Sequence, residues 1–150
     1  MIEVDIQHAS EHPSLPAEGR FQRWTEAALA GRHETAEVLI RLVDEGESAR
    51  LNADYRGKND PTNVLSFPFE VPPGVPNTHL GDLVICAPVV AREAGEQAKS
   101  VEAHWAHLTV HGVLHLLGFD HIEDTDAERM EAEEIRILQS LGFPNPYQEQ

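Results

Sequence analysis

Cysteine is nearly absent from this sequence of 150 residues. The single thiol, Cys86, lies in the apolar stretch from Leu83 to Ala87. One cysteine cannot form an internal disulfide, and it cannot build a cysteine-rich structural metal site either. The composition therefore excludes disulfide-stabilised secreted modules and cysteine-based zinc modules.

Long apolar runs are also missing. No stretch approaches the roughly 18 residues that a membrane-spanning helix needs. The segment from Met1 to Ile6 alternates apolar and acidic residues and contains no basic residue, so it does not resemble a signal peptide. We expect a globular, cytoplasmic chain without a membrane partner.

Basic residues are scarce, with 11 Lys and Arg against 26 Asp and Glu and a net charge of −15 at pH 7. Such a charge repels a polyanion at long range, which counts against a nonspecific nucleic-acid binder, and we expect no DNA partner. It does not exclude an enzyme that meets phosphate inside a cleft, because charges beyond about 8 Å are largely screened at physiological salt.

The length and the 41% hydrophobic content predict one domain over residues 1–150. Hydrophobic periodicity and turn residues predict strands at 2–7, 34–44, 64–69 and 81–86, and helices near 17–29, 48–55, 88–99, 101–117 and 125–141. The second strand is too apolar for a sheet position that is wet on one side, and Pro68 indicates an edge or a bulge. We expect an α+β fold in which a roughly four-stranded mixed sheet packs against about five helices.

The segment from His111 to His121 carries the clearest chemical signal. His111 and His115 are four residues apart, so on a helix both imidazoles project towards the same point. Gly118 can end the helix in the left-handed conformation and let His121 approach as a third ligand. Three imidazoles suit one zinc ion and leave its fourth position to water, as in catalytic sites. Ligand type alone leaves nickel, copper and iron open.

The spacing of these histidines is that of the metzincin metalloproteases, but Gly112 replaces the glutamate that serves them as general base. This difference argues against ordinary peptide hydrolysis and leaves the proton acceptor unidentified. Asp120 is a candidate for orienting a ligand or transferring a proton. His104 and His107 lie on or near the same helix face. They are candidates for contacting substrate or for supporting the metal ligands, and the alternative is a structural or solvent-facing position.

Arg56 and Lys58 lie beside a predicted turn between a helix and a strand. An arginine offers planar, bidentate donors that match a phosphate, while a lysine acts as a point charge. The alternative interpretation is a surface arginine that caps the carboxyl end of a helix.

At these two blocks the sequence closely resembles the YbeY family of endoribonucleases, which are rRNA maturation factors. The matching segments are Tyr55-Arg56-Gly57-Lys58 with Pro61-Thr62 and Val64–Pro68, the histidine block from His111 to His121, and Gly81–Ile85 as the family's central strand. Two mild departures are Asn63 and Phe119, which stand where family members often have Asp and Tyr.

The resemblance implies a zincin-like site with one Zn²⁺ per chain, held by His111, His115 and His121, with Arg56 as the catalytic residue that engages substrate. Lys58, His107 and Asp120 are candidates for supporting or substrate-contacting roles. The implied activity is cleavage of single-stranded RNA, in 3′-end processing of small-subunit rRNA and in ribosome quality control. The implied partners are an rRNA precursor and the small ribosomal subunit.

Two alternatives stay open. The chain could be a ribosome-associated assembly factor with a mainly structural metal, as the missing glutamate and the net charge suggest. The acidic helix with Glu123, Asp124, Asp126, Glu128, Glu131, Glu133 and Glu134 would then dock a basic ribosomal protein, although such charge runs are usually a solvated face. A peptidase or another metal-dependent hydrolase is the second alternative, which Gly112 disfavours.

Overall fold

The computed structural model describes residues 1–119 and 123–148. Its elements are, in chain order, β1 (Ile2–Ala9), α1 (Glu18–Leu29), β2 (Ala36–Val43), α2 (Glu45–Arg56), β3 (Val64–Pro68), β4 (His79–Cys86), α3 (Ala87–Glu96), α4 (Val101–Leu116) and α5 (Asp124–Ser140). These four strands and five helices confirm the predicted α+β class. Within the two described ranges, no helix is long and apolar enough to cross a membrane.

The four strands form one mixed sheet in the order β1-β2-β4-β3. β1, β2 and β4 run parallel, while β3 pairs antiparallel with β4 at the edge. The inner position of β2 agrees with its apolar sequence. Its burial alternates, with Val38, Ile40 and Leu42 buried on one face and Glu37, Leu39 and Arg41 half-buried on the other. Pro68 ends the edge strand, where its missing N–H breaks no ladder, as the sequence predicted.

Helices cover the two faces of the sheet unequally. The larger core lies on the side of α1, α4 and α5, where the Phe21 ring meets Trp24 and Trp105 edge to face at centroid distances of 5.4 and 5.6 Å. The smaller core on the other face includes Cys86 and is packed by Leu51 of α2. Because α4 contacts α1, α3, α5, β3 and β4, it is the central helix of the fold.

Two helix boundaries differ from the predicted ones by three residues, and the others agree to within one residue. α2 begins at Glu45, three residues early, and two glutamates in its first turn suit the positive end of the helix dipole. α3 ends at Glu96, before the predicted Lys99, because Ala98 adopts a positive φ of 54° and turns the chain towards α4.

Candidate functional site

His111 and His115 face each other on successive turns of α4, as their spacing predicted. Their Nε2 atoms lie 3.1 Å apart. The Nδ1 atom of His115 lies 3.0 Å from the Phe119 carbonyl oxygen, and Nδ1 of His111 is hydrogen-bonded to the Glu134 carboxylate. Each Nδ1 therefore carries the hydrogen and donates it, and each Nε2 presents its electron pair.

This arrangement fits a metal ion. Two nitrogens bound at about 2.0–2.1 Å to one tetrahedral ion lie roughly 3.3 Å apart, close to the separation of the two Nε2 atoms. A carbonyl oxygen or a carboxylate on the second ring nitrogen is the usual partner of a metal-binding histidine, because it sets the tautomer and the ring orientation. The donor set suits a divalent transition metal.

Glu134 lies beside the histidine pair, although sequence patterns did not single it out. It belongs to the acidic run of α5, but its side chain is fully buried. The carboxylate accepts hydrogen bonds from His111 and from the Tyr147 hydroxyl. The available signal was helical phase, since Glu134 lies one turn from Met130 and from Leu138, which are both buried.

The Glu134 carboxyl is ionised at neutral pH despite its burial. Burial raises the pKa of this carboxyl, but hydrogen bonds with His107 and His111 outweigh burial and lower the pKa to about 2. A buried carboxylate is tolerated when donors surround it, and the pairing with His111 places this negative charge directly behind the imidazole.

Arg56 lines the same cleft as the paired imidazoles. The cleft has a volume of about 250 Å³, and its walls include Tyr55, Val64 and Ser66 besides Arg56 and the two histidines. Lys58, two residues further along, is exposed and is not among the lining residues. The structure thus brings Arg56 together with His111 and His115 and leaves Lys58 outside this group.

The position of Arg56 follows from the end of α2. Gly57 closes the helix with a φ of 72°, and its own backbone N–H bonds the Ala53 carbonyl at 3.0 Å. Backbone N–H groups of Gly57 and Lys58 therefore bond the Ala53 and Asn52 carbonyls at the end of α2. Two buried side chains of α2 hold the loop that follows the helix. Asn52 Nδ2 donates to the Asp60 carbonyl at 2.8 Å, and Ser48 Oγ donates to the Thr62 carbonyl at 2.9 Å.

Gly112 stands where the metzincins have their glutamate, and it packs against β4. A Cβ atom at this position would lie 2.8 Å from Cδ2 of Leu83, so a larger residue here would require the Leu83 side chain to shift. Among the described residues that line the cleft, none carries a carboxylate to serve in place of that glutamate.

His121 and Asp120, the predicted third ligand and its neighbour, lie outside the described residues. Within the described part of the chain, one group able to hold a metal ion is His107, His111 and Glu134, whose ligand atoms lie within 4.8 Å of one another. This group shares only His111 with the predicted triad. It lies on the Nδ1 side of that ring, whereas His115 lies on the Nε2 side.

The two upstream histidines of α4 are drawn into the interior. The His107 side chain is 11% exposed, and its Nε2 lies 3.3 Å from the Tyr147 hydroxyl and 3.6 Å from the Glu134 carboxylate. His104 is 3% exposed, with its Nε2 2.9 Å from Oε1 of Glu93. Among the predicted alternatives, a solvent-facing role is therefore wrong for His104.

Fold and site together define a class of protein: a single-domain α+β enzyme in which an arginine shares a cleft with two histidines, one of which also belongs to a histidine and carboxylate group able to hold a metal. A family model described as Endoribonuclease YbeY matches residues 5–142. The chain belongs to the YbeY family of endoribonucleases, as its motifs predicted, and is accordingly a hydrolase of the nuclease class.

Two relatives show how far the similarity extends. A protein of Methylococcus capsulatus named Endoribonuclease YbeY is 62% identical over 149 residues, which make up 99% of this chain and 97% of that protein. The solution structure of TM1509 from Thermotoga maritima has a TM-score of 0.65 at 25% identity, covering 94% of this chain and 89% of that one. The similarity therefore spans the whole domain.

Proposed function

We propose that the chain is a zinc-dependent endoribonuclease that cuts single-stranded RNA in rRNA maturation, including 3′-end processing of small-subunit rRNA, and in ribosome quality control. The observation that carries the proposal is the cleft that holds Arg56 beside two imidazoles whose Nε2 atoms face each other at 3.1 Å. Membership of an endoribonuclease family supports RNA as the substrate. The single, buried thiol of Cys86 is compatible with work in the reducing cytoplasm.

One zinc ion per chain would be held by His111, His115 and His121, with the fourth position left to water. The tautomers and the spacing of the first two imidazoles fit this ion. When bound, zinc supplies a water of pKa near 7 and a Lewis acid for a phosphoryl oxygen. Glu134 and the Phe119 carbonyl hold the two described imidazoles in the orientation that the ion requires.

Arg56 would bind the scissile phosphate. Its guanidinium can donate two parallel hydrogen bonds to phosphate oxygens and stabilise the charge that develops during attack. Lys58, exposed beside it, would attract the RNA backbone from outside the cleft. Tyr55 is 53% exposed, and its ring packs on Phe67 at 4.6 Å between ring centroids, so it offers a base a surface to stack on.

The small ribosomal subunit is the proposed assembly partner, through a basic ribosomal protein. The α5 surface supports this, because Asp124, Glu128 and Glu131 are exposed. Glu134 is buried and does not belong to this acidic surface. Complementary charge accelerates encounter with a basic partner. Glu123, Asp126 and Glu133 would add to this field.

The proposal is tested with zinc-loaded and chelated protein on one RNA, presented single-stranded and as a duplex. We expect cleavage only of the single strand and only with zinc. The product termini report the nucleophile, since a cyclic phosphate identifies the 2′-hydroxyl and excludes direct attack by water. Tight zinc binding without cleavage would contradict the proposal and favour an assembly factor with a structural metal.

Replacing Glu134 by glutamine should weaken zinc binding about ten- to a hundredfold, because the neutral amide removes the charge behind His111. The measurement is competition for zinc against a chelator of known affinity. Glu131→Gln, an exposed change on the same helix, is the matched control and should leave the affinity unchanged. Equal zinc affinities in the two variants would show that Glu134 does not support the metal site.

A further inference from the structure

A second cavity adjoins the cleft of Arg56 on the other side of His111. Its volume is about 350 Å³, and its lining includes Asn63, Lys99, His107, His111 and Tyr147. His111 lines both spaces, and Asn63 of this cavity directly precedes Val64 of the cleft. The two spaces therefore follow one another along α4 and the edge strand β3.

The second cavity contains a cation that its neighbours do not fully engage. Lys99 is one of only two lysines in a chain of net charge −15. Burial lowers the pKa of its ammonium group, while the carboxylates of Glu93 and Glu134 favour the charged form. Glu93 is already bonded by His104 and Asn63, and Glu134 is already bonded on both oxygens. A partly buried ammonium group gains from an additional anion.

The backbone around Lys99 is well defined. Its N–H bonds the Ala94 carbonyl at 2.9 Å, and the preceding Ala98 adopts the positive φ that forms the turn between α3 and α4. Ser100 then caps α4, with its hydroxyl accepting from the Ala103 N–H at 3.0 Å. This tight turn, rather than a long loop, sets where the ammonium group enters the cavity.

Tyr147 supplies an aromatic wall. Its hydroxyl is bonded to the buried Glu134, and its ring meets the His107 ring edge to face at 5.3 Å between centroids. The residue nevertheless remains 46% exposed. A ring that is held at its hydroxyl and exposed on one face is suited to stack a base. Single-strand binding sites commonly combine such an aromatic side chain with a nearby cation.

We propose that this cavity is a second nucleotide subsite of the RNA cleft, taking the ribonucleotide next to the scissile phosphate. Lys99 contacts the backbone phosphate of that nucleotide, and the Tyr147 ring stacks on its base. This inference rests on the proposed endoribonuclease function. It gives the strand a path along α4, from the Arg56 side past His111 to Lys99.

The test is the dissociation constant of a labelled single-stranded RNA from zinc-loaded protein, read by stopped-flow anisotropy before cleavage accumulates. Lys99→Gln should weaken binding about three- to tenfold and make the slope of log affinity against log salt shallower by about 0.7. Lys99→Arg should retain the slope. Arg23→Gln, an exposed change of the same charge on α1, is the control for a general effect of net charge.

The tyrosine is tested separately. Tyr147→Leu should weaken binding about fivefold or more through lost stacking, whereas Tyr147→Phe keeps the ring, loses only its hydrogen bond to Glu134 and should retain most of the binding. Equal effects of Lys99→Gln and Arg23→Gln would overturn the subsite while leaving cleavage by the wild type intact. Wild-type protein that neither binds nor cuts the RNA would overturn both the subsite and the proposed function.

Discussion

Replacing His115 by alanine is expected to lower cleavage of single-stranded RNA by about three orders of magnitude or more and to reduce bound zinc well below one ion per chain. The imidazole supplies one of two Nε2 atoms that face each other at 3.1 Å, and its removal leaves too few ligands for tight binding. Zinc content by mass spectrometry and the single-turnover rate are the two measurements. His33→Ala, at an exposed histidine away from the cleft, should change neither.

The same experiment distinguishes the two groups that contain His111. If His111, His115 and His121 hold the ion, His107→Ala should leave the zinc stoichiometry at one. If His107, His111 and Glu134 hold it instead, His115→Ala should keep its zinc and His107→Ala should lose it. That result would show that the assigned ligand set is wrong.

Replacing Arg56 by alanine should reduce kcat by about a hundred- to a thousandfold while zinc stays bound. The guanidinium lines the cleft beside the two imidazoles, so its loss removes charge stabilisation at the phosphate and leaves the proposed metal ligands in place. The fold should be retained, because the backbone of Gly57 closes α2 without help from Arg56. Single-turnover rates check the loss of activity, zinc content checks that the metal is retained, and a thermal melt of the same preparation checks the fold.

Two further variants make the Arg56 result specific. Arg56→Lys keeps the charge but loses the planar pair of donors, and it should recover only part of the lost rate. Arg50→Ala, an exposed change on the same helix, should cut RNA at the wild-type rate. Unchanged activity in Arg56→Ala, or zinc lost together with activity, would exclude the proposed role of this residue.

Local patterns predicted those parts of the site that depend on neighbours along the chain. The four-residue spacing of His111 and His115 predicts two imidazoles on one helix face, and the structure has them facing each other. The apolar run of β2 predicted an inner strand, and Pro68 predicted an edge. Each of these follows from a repeat of 3.6 or 2 residues, or from one residue's backbone chemistry, without knowledge of distant partners.

The surroundings of Gly112 could not be predicted from local patterns. The sequence revealed that Gly112 stands in place of the metzincin glutamate, but not what Gly112 faces in the fold. It lies against the Leu83 side chain of β4, and that contact exists only once the sheet and α4 are packed together.

The sequence by itself determined the fold class, the histidine pair on α4 and the family, because these depend on periodicity and on short motifs. Only the tertiary structure decided that the buried Glu134 carboxylate bonds His111 and the Tyr147 hydroxyl. It also decided that Arg56 lines the cleft beside the two histidines. These contacts join residues far apart in the chain. They are set by how α2, α4 and α5 pack on the sheet, which no local pattern records.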